Sequence, residues 1–298
     1  MREVLEYFII LLLTVTAVLP NATALAQETH SAERGLTSVW RQHVGNPDDH
    51  TRIVHLCALF KSRNPDDHLL AVGESLAAWH LLKLGQTNAA VKAFEVIAAD
   101  EEKGDHLRAA ARNMARAWLT RIDREKTKRV LRKIYLEEVE YPASLDDLTN
   151  LPEGERPPLT DRWGKRWSYE LVGFKYIRAA KAQRYKLHST SLGDSSDLAR
   201  ALAASYASGI DLVPTKLITS PRPAVEFGAR PLDDGLRGPS DLRRRRSQKQ
   251  ATVRVRGKTR ITLGQEIDGI RLAYIGRTSI ILANRDHWLI LPKPPRKK

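Results

Sequence analysis

The chain has 298 residues and one cysteine, Cys57, which excludes a disulfide framework within it. Lys and Arg number 49 against 35 Asp and Glu, a net charge of +14, yet sixteen of these cations and only three acidic residues fall between Arg243 and Lys298. The excess charge therefore belongs to the C-terminal region, the rest is nearly neutral, and the length with ordinary apolar content fits two or three small domains.

The apolar run from Tyr7 to Leu19 is closed by Pro20 and is short of the ~20 residues that span a bilayer. Ala24-Leu25-Ala26 follows as a small-x-small step before Gln27, so residues 1–26 read as a secretory signal peptide, although Glu3 and Glu6 offset Arg2. An uncleaved membrane anchor is the alternative. Either reading puts the bulk of the chain outside the cytoplasm, in a periplasm or cell envelope.

Residues 27–120 read as helices throughout. Asn46-Pro47-Asp48-Asp49-His50 recurs as Asn64-Pro65-Asp66-Asp67-His68, and each pentapeptide is expected to start a helix with Asn at the cap and Pro at the first helical position. A metal-binding role for the repeated Asp-Asp-His is the rival reading. Cys57 lies in the apolar run Ile53 to Phe60 and is expected to be a buried small hydrophobe. Trp40, Trp79 and Trp118 recur at intervals of 39, a period that suggests stacked helix hairpins. Ala78, Leu81, Gly85, Ala90 and Phe94 resemble a tetratricopeptide repeat, which implies a concave surface for a partner. A plain helical bundle accounts for the same pattern.

A basic helix with Ile122, Val130, Leu131, Ile134, Tyr135 and Val139 along its apolar stripe opens the next region, residues 121–210. Pro142 should end it near Tyr141. Ser144 and Asp147 have capping-box spacing, Asp161 with Gly164 reads as a tight turn, and Trp167, Tyr169, Leu171 and then Tyr185, Leu187, Ser189 alternate as half-buried strands do. Taken in order, Tyr141, Pro142, Asp161, Trp163, Gly164, Trp167, Tyr169, Tyr185, Ser189, Gly193 and Asp194 resemble the globular head of type II secretion major pseudopilins. In that family a stem helix ends in a Tyr-Pro step, an Asp-Pro-Trp-Gly turn follows, and a small antiparallel sheet closes on Tyr-x-Leu-x-Ser and Gly-Asp. Arg162 here replaces the turn Pro, and the family's start, a Gly-Phe cleavage step before a packing helix, is missing, so polymerisation as a pilin is not expected. The resemblance also implies calcium ligands, for which the chain offers Asp194 and Asp197. Calcium takes six to eight oxygens, so no metal or cofactor is expected.

Residues 211–250, rich in Pro, Gly and Arg, read as a disordered linker. Its Arg243, Arg244, Arg245 and Arg246 would suit anionic lipid headgroups or an acidic protein, and export argues against nucleic acid. Residues 251–298 read as a basic small β-domain, with short strands punctuated by Gly257, Gly264, Gly269 and Gly276. The order Gly264, Ile267, Asp268, Gly269, Arg271, Leu272, Ile275 is similar to the periplasmic β-domain of type II secretion inner-membrane subunits and of pilus alignment proteins. That resemblance implies docking on a secretin or a secretion-platform subunit, with Ile261, Leu263, Ile267 and Leu272 in the contact.

The expected fold class is thus α+β multidomain: a helical hairpin array, a small antiparallel head and a C-terminal β-domain. No Gly-rich phosphate loop or Gly-x-Ser-x-Gly step occurs and the nine histidines are scattered, so no catalytic residue is named and an enzyme is not expected. The expected function is a non-enzymatic cell-envelope adaptor or assembly component of a type II secretion or type IV pilus-like system. The alternative is an exported scaffold that binds peptidoglycan, anionic lipid or a secreted protein.

Overall fold

The structure, a computed structural model, describes residues 22–101, 104–177, 180–204, 252–255, 259–267 and 269–292. The protein is a mixed α+β protein. Most of the expected signal segment and linker, with Arg243 to Arg246, lies outside the described residues; Ala24-Leu25-Ala26 falls in the first turns of helix α1 (Ala22–Gly45). Among the described residues no helix is long and apolar enough to cross a membrane.

Helices α2 (His50–Arg63), α3 (Leu70–Lys83) and α4 (Thr87–Ala99) follow α1, each packed on the one before. The two Asn-Pro-Asp-Asp segments are β-turns that precede the helices, a correction to the expected caps. The Asp49 amide donates to the Asn46 carbonyl at 3.2 Å, and the Asp67 amide donates to that of Asn64 at 3.3 Å. Proline's fixed φ suits the second position of a turn as well as the first of a helix. The cap of α2 is Asp49, whose carboxylate accepts from the Arg52 amide. Gly85, at φ 74, turns the chain between α3 and α4, and Ala78, Ala90 and Phe94 are fully buried there.

Helix α5 (His106–Glu138) runs 33 residues without Gly or Pro from the Asp105 cap. The domain boundary expected at 120/121 therefore falls inside one continuous helix, because nothing between its ends breaks it. After it, the Ser144–Asp147 capping box opens a short 3-10 turn (Leu145–Asn150). Strands β1 (Trp167–Ile177) and β2 (Ala180–Ser189) pair antiparallel, with Trp167 opposite Ser189 and Tyr169 opposite Leu187. This hairpin covers the second half of α5 over Leu131, Leu145, Leu148, Trp167 and Leu187. A 3-10 turn (Asp194–Ser196) and helix α6 (Leu198–Ala204) return to α5.

Strands β3 (Thr252–Val255) and β4 (Thr259–Thr262) make a two-stranded ribbon. Strands β5 (Glu266–Ile267), β6 (Ile270–Ile275), β7 (Ser279–Ala283) and β8 (Trp288–Pro292) form an antiparallel sheet in chain order. Strand β7 is buried on both faces. Its Ile281 and Ala283, with Ala273, Trp288 and Ile290, join the core of α1 to α5, while Ile280 and Leu282 pack with Ile270 and Leu272 on the other face. The expected independent β-domain is thus part of the helical core, since a four-stranded sheet of this size buries one face only by packing on something else.

Two contacts fix that packing. The buried Glu33 carboxylate on α1 accepts from the amides of Arg277 and Thr278 at 2.7 and 2.8 Å, and from the hydroxyls of Tyr274 at 2.7 Å and Thr278 at 2.6 Å. Trp288 donates its indole N–H to Ser75 Oγ on α3 at 2.7 Å.

Candidate functional site

Three sequence regions converge beside the middle of α5. On α5, Arg121 is fully buried, stacks on Trp118 at 4.8 Å, donates to the Ser195 carbonyl at 2.9 Å and pairs with the Asp286 carboxylate. The Trp118 indole N–H donates to the Asp286 carbonyl at 3.0 Å. These bonds pin the β7–β8 turn and the segment after β2 to the same helix.

The segment after β2 is itself clipped to the Asp161 turn. Ser189 donates to Asp161 Oδ2 at 2.7 Å, and the other carboxylate oxygen accepts from the amides of Trp163 and Lys165, both at 3.0 Å. Burial would raise the Asp161 carboxyl, but these hydrogen bonds outweigh it and hold the group below its ordinary value. Gly164 supplies φ 80 in the turn, and the Gly193 amide closes the second loop onto the Ser189 carbonyl at 2.7 Å. The two turns that the sequence marks separately are therefore one buried structural unit.

Between this unit, α5 and the sheet lies a recess of about 490 Å³. Asn113 of α5 contributes to its lining, Trp163 and Lys165 come from the Asp161 turn, and Thr190 and Ser191 from the loop after β2. The β5–β6 hairpin adds Glu266, Gly269 and Arg271, and the β7–β8 turn adds Asn284 and Arg285. Gly269 takes φ 76 in the tight turn that joins Ile267 to Ile270, a conformation that glycine adopts without cost. Arg271 donates to Glu266 at 3.2 Å, whereas Arg285 donates to the neutral Ser191 carbonyl at 2.6 Å. Lys165 has no ion pair among the described residues. The recess thus presents three cations against one carboxylate.

The remaining predicted residues have structural places. Tyr141 stacks on Tyr135 at 4.5 Å and meets Tyr185 edge-on at 4.6 Å, while Tyr169 donates to the Pro142 carbonyl at 2.8 Å. Trp167 is buried and donates to the Pro158 carbonyl at 2.7 Å. Asp197 accepts from the Arg200 amide at 2.9 Å and faces Arg124 at 3.2 Å, and Asp194 is exposed. Among the described residues no group of three or more acidic, His or Cys side chains is arranged to hold a metal ion. Leu272 is fully buried, which corrects its expected place in a partner contact: its side chain belongs to the small core on the outer face of the sheet. Leu263 is 44% exposed, and the backbones of Ile261 and Ile267 lie in β4 and β5.

A second cluster escaped the sequence reading. His80 of α3 contacts His43 Nδ1 of α1 through its Nε2 at 3.1 Å and His50 Nδ1 of α2 through its Nδ1 at 2.9 Å. Burial drives His43 down to about 4; burial and then the two neighbouring imidazoles hold His80 lower still. All three rings are then neutral at pH 7, and a neutral ring donates from one nitrogen and accepts at the other. Both nitrogens of His80 are engaged, so the proton sense at one end of the chain sets the sense at the other. The three helices are tied by this relay, between Trp40 and Trp79. No spacing in the sequence brings these three together, since the fold alone does so.

A scan of protein-family models, a search of curated proteins and a search of solved structures found no match to this chain.

Proposed function

We propose that the protein is a non-enzymatic cell-envelope adaptor of the type II secretion or type IV pilus kind, which holds partner proteins on a rigid body. The observation that carries this reading is the ribbon β3–β4, which pairs with no other strand among the described residues and leads through the exposed Leu263 into the edge strand β5. Open strand edges beside an exposed apolar side chain suit docking by strand addition, with backbone bonds supplying affinity. Ile261 and Leu263 remain the proposed contact, with the edge strand that carries Ile267 beside them, while Leu272 drops out. The Tyr-Pro step, the Asp161 turn and the β1–β2 hairpin then serve as a second contact module, in keeping with the pseudopilin-head resemblance. The basic segment around Arg243 to Arg246 adds an electrostatic contact to a partner or to an anionic membrane surface.

The test is capture of partners from crosslinked envelopes by the full chain and by a Leu263→Asp variant. Cutting the chain at Gly209 is unsuitable, because it removes Trp288, Ile281 and Ile290 from the helical core. Loss of a co-purifying secretin or platform subunit in the variant supports the reading. Capture of no such subunit by the wild-type chain rejects it.

A further inference from the structure

We propose that the recess between α5, the Asp161 turn and the C-terminal sheet is a binding site for a compact organic dianion, one that carries carboxylate or phosphate groups. The residues set charge, polarity and size together. Lys165, Arg271 and Arg285 face Glu266 alone, which leaves two positive charges without a balancing carboxylate in the lining. The rest of the lining mixes small apolar side chains with the Asn113 amide and the Thr190 hydroxyl, whereas the Ser191 hydroxyl is buried and the Asn284 amide is engaged within its own turn. A wall of this kind leaves a purely apolar ligand with unpaired polar groups around it, whereas a hydroxylated or multiply charged one pairs with them. The volume of about 490 Å³ lies in the range of small-molecule sites and is far too small for a folded partner.

Guanidinium groups bind carboxylate and phosphate through two parallel N–H bonds, and here one stands on strand β6 opposite Ala283 and the other on the β7–β8 turn two residues beyond it. Among the described residues Arg285 is held only by a neutral carbonyl, so its charge is available to a ligand without breaking an ion pair there. Arg271 is different: it shares its charge with Glu266, and a bound anion must compete with that carboxylate. Glu266 therefore acts as an internal competitor that sets the affinity and favours a doubly charged ligand over a singly charged one. The cations come from elements that only the folded core brings together, so a bound dianion also bridges the Asp161 turn to the sheet.

The experiment is calorimetric titration of the purified full chain at low salt with succinate and with glucose 6-phosphate, and with acetate and glucose as controls. Binding of succinate alone identifies a carboxylate ligand, binding of glucose 6-phosphate alone a phosphate ester, and either supports the site, as does binding of both with weaker binding of the controls. Lys165→Gln and Arg285→Gln are each expected to weaken binding about tenfold, and added salt should weaken it further. Glu266→Gln is expected to tighten binding several-fold, a gain that a purely structural carboxylate would not give. If neither dianion binds, if acetate binds as well as they do, or if the Lys165 and Arg285 variants bind unchanged, the proposal is overturned. The titration uses no partner protein, so its failure and that of the adaptor reading are separate results.

Discussion

At the scale of single residues, one side chain carries backbone strain and three carry latent charge. Val139 ends α5 in the left-handed region at φ 65 and is 71% exposed. A β-branched residue there is costly, and glycine is the usual choice at such a helix end. Val139→Gly is expected to stabilise the protein by about 1 kcal/mol, read as a higher urea midpoint at unchanged slope. The histidine relay gives a second prediction. Because His43, His50 and His80 are all held below the ordinary value of 6.5, the unfolded chain takes up protons first on acidification. Stability is therefore lost as pH falls through 6.5 toward about 4, by up to about 1.4 kcal/mol per pH unit for each of the buried His43 and His80 and by less for the more exposed His50. Urea titrations from pH 7.5 to 5 test this, and His50→Gln should flatten the slope. Glu33 and Asp161 lie below their ordinary values of 4.5 and 3.8 and contribute only at lower pH, whereas His287, which burial holds down to about 4, adds to the same slope, so the His50→Gln difference isolates the relay. The Asp161–Gly164 turn was readable because its donors lie within four residues of the acceptor. The partner of Asp161 at Ser189, and those of His80, are 28 to 37 residues away, and no local pattern encodes them.

Among the elements, the tie between α1 and the sheet rests on one carboxylate. Glu33 answers four donors of the turn from Tyr274 to Thr278, and a Cβ on Gly276 would stand 2.0 Å from its Oε1. Glu33→Gln turns an amide N–H₂ toward these donors and is expected to cost about 2–3 kcal/mol in urea unfolding. Gly276→Ala should be at least as damaging, because the added methyl would displace the carboxylate from its cradle. The helices and strands were legible from period and punctuation: α3 and α4 around Gly85, β1 and β2 from alternating aromatics, and the β5–β6 hairpin from Asp268-Gly269. Their starts were less so. Asn46 and Asn64 have the residue type of a cap and serve a turn, since Asn-Pro suits both uses. The equal spacing of the tryptophans also hid unequal roles: Trp40 and Trp79 flank the relay, while Trp118 bonds to the sheet.

Over the whole molecule, the unit of cooperativity is larger than any of the expected domains. Residues from Ala32 to Ile290 share one core. Near-ultraviolet signals from Trp118 and Trp288 should therefore lose structure at the same denaturant concentration as the far-ultraviolet helix signal. Two separated transitions would mean that the sheet folds apart from the helices. Trp288→Ala, which removes the largest side chain the sheet gives to that core, is expected to cost about 3–5 kcal/mol and to lower both signals together. The composition shift at 211–250 suggested a boundary because it marks a change of chemistry. A change of chemistry along a chain does not determine whether its two flanks pack on each other, and here they do.

That union has a consequence for how the protein is made. A ribosome makes α1 well before β8, so Glu33 and Ser75 lack their partners at Thr278 and Trp288 until the strand near residue 290 emerges. At ordinary elongation rates the wait is roughly 10 to 50 s. During it the nascent helices are client-like, with an apolar surface open to any chaperone that reaches them. Completion of β8, rather than formation of α1, is the moment at which the shared core can close.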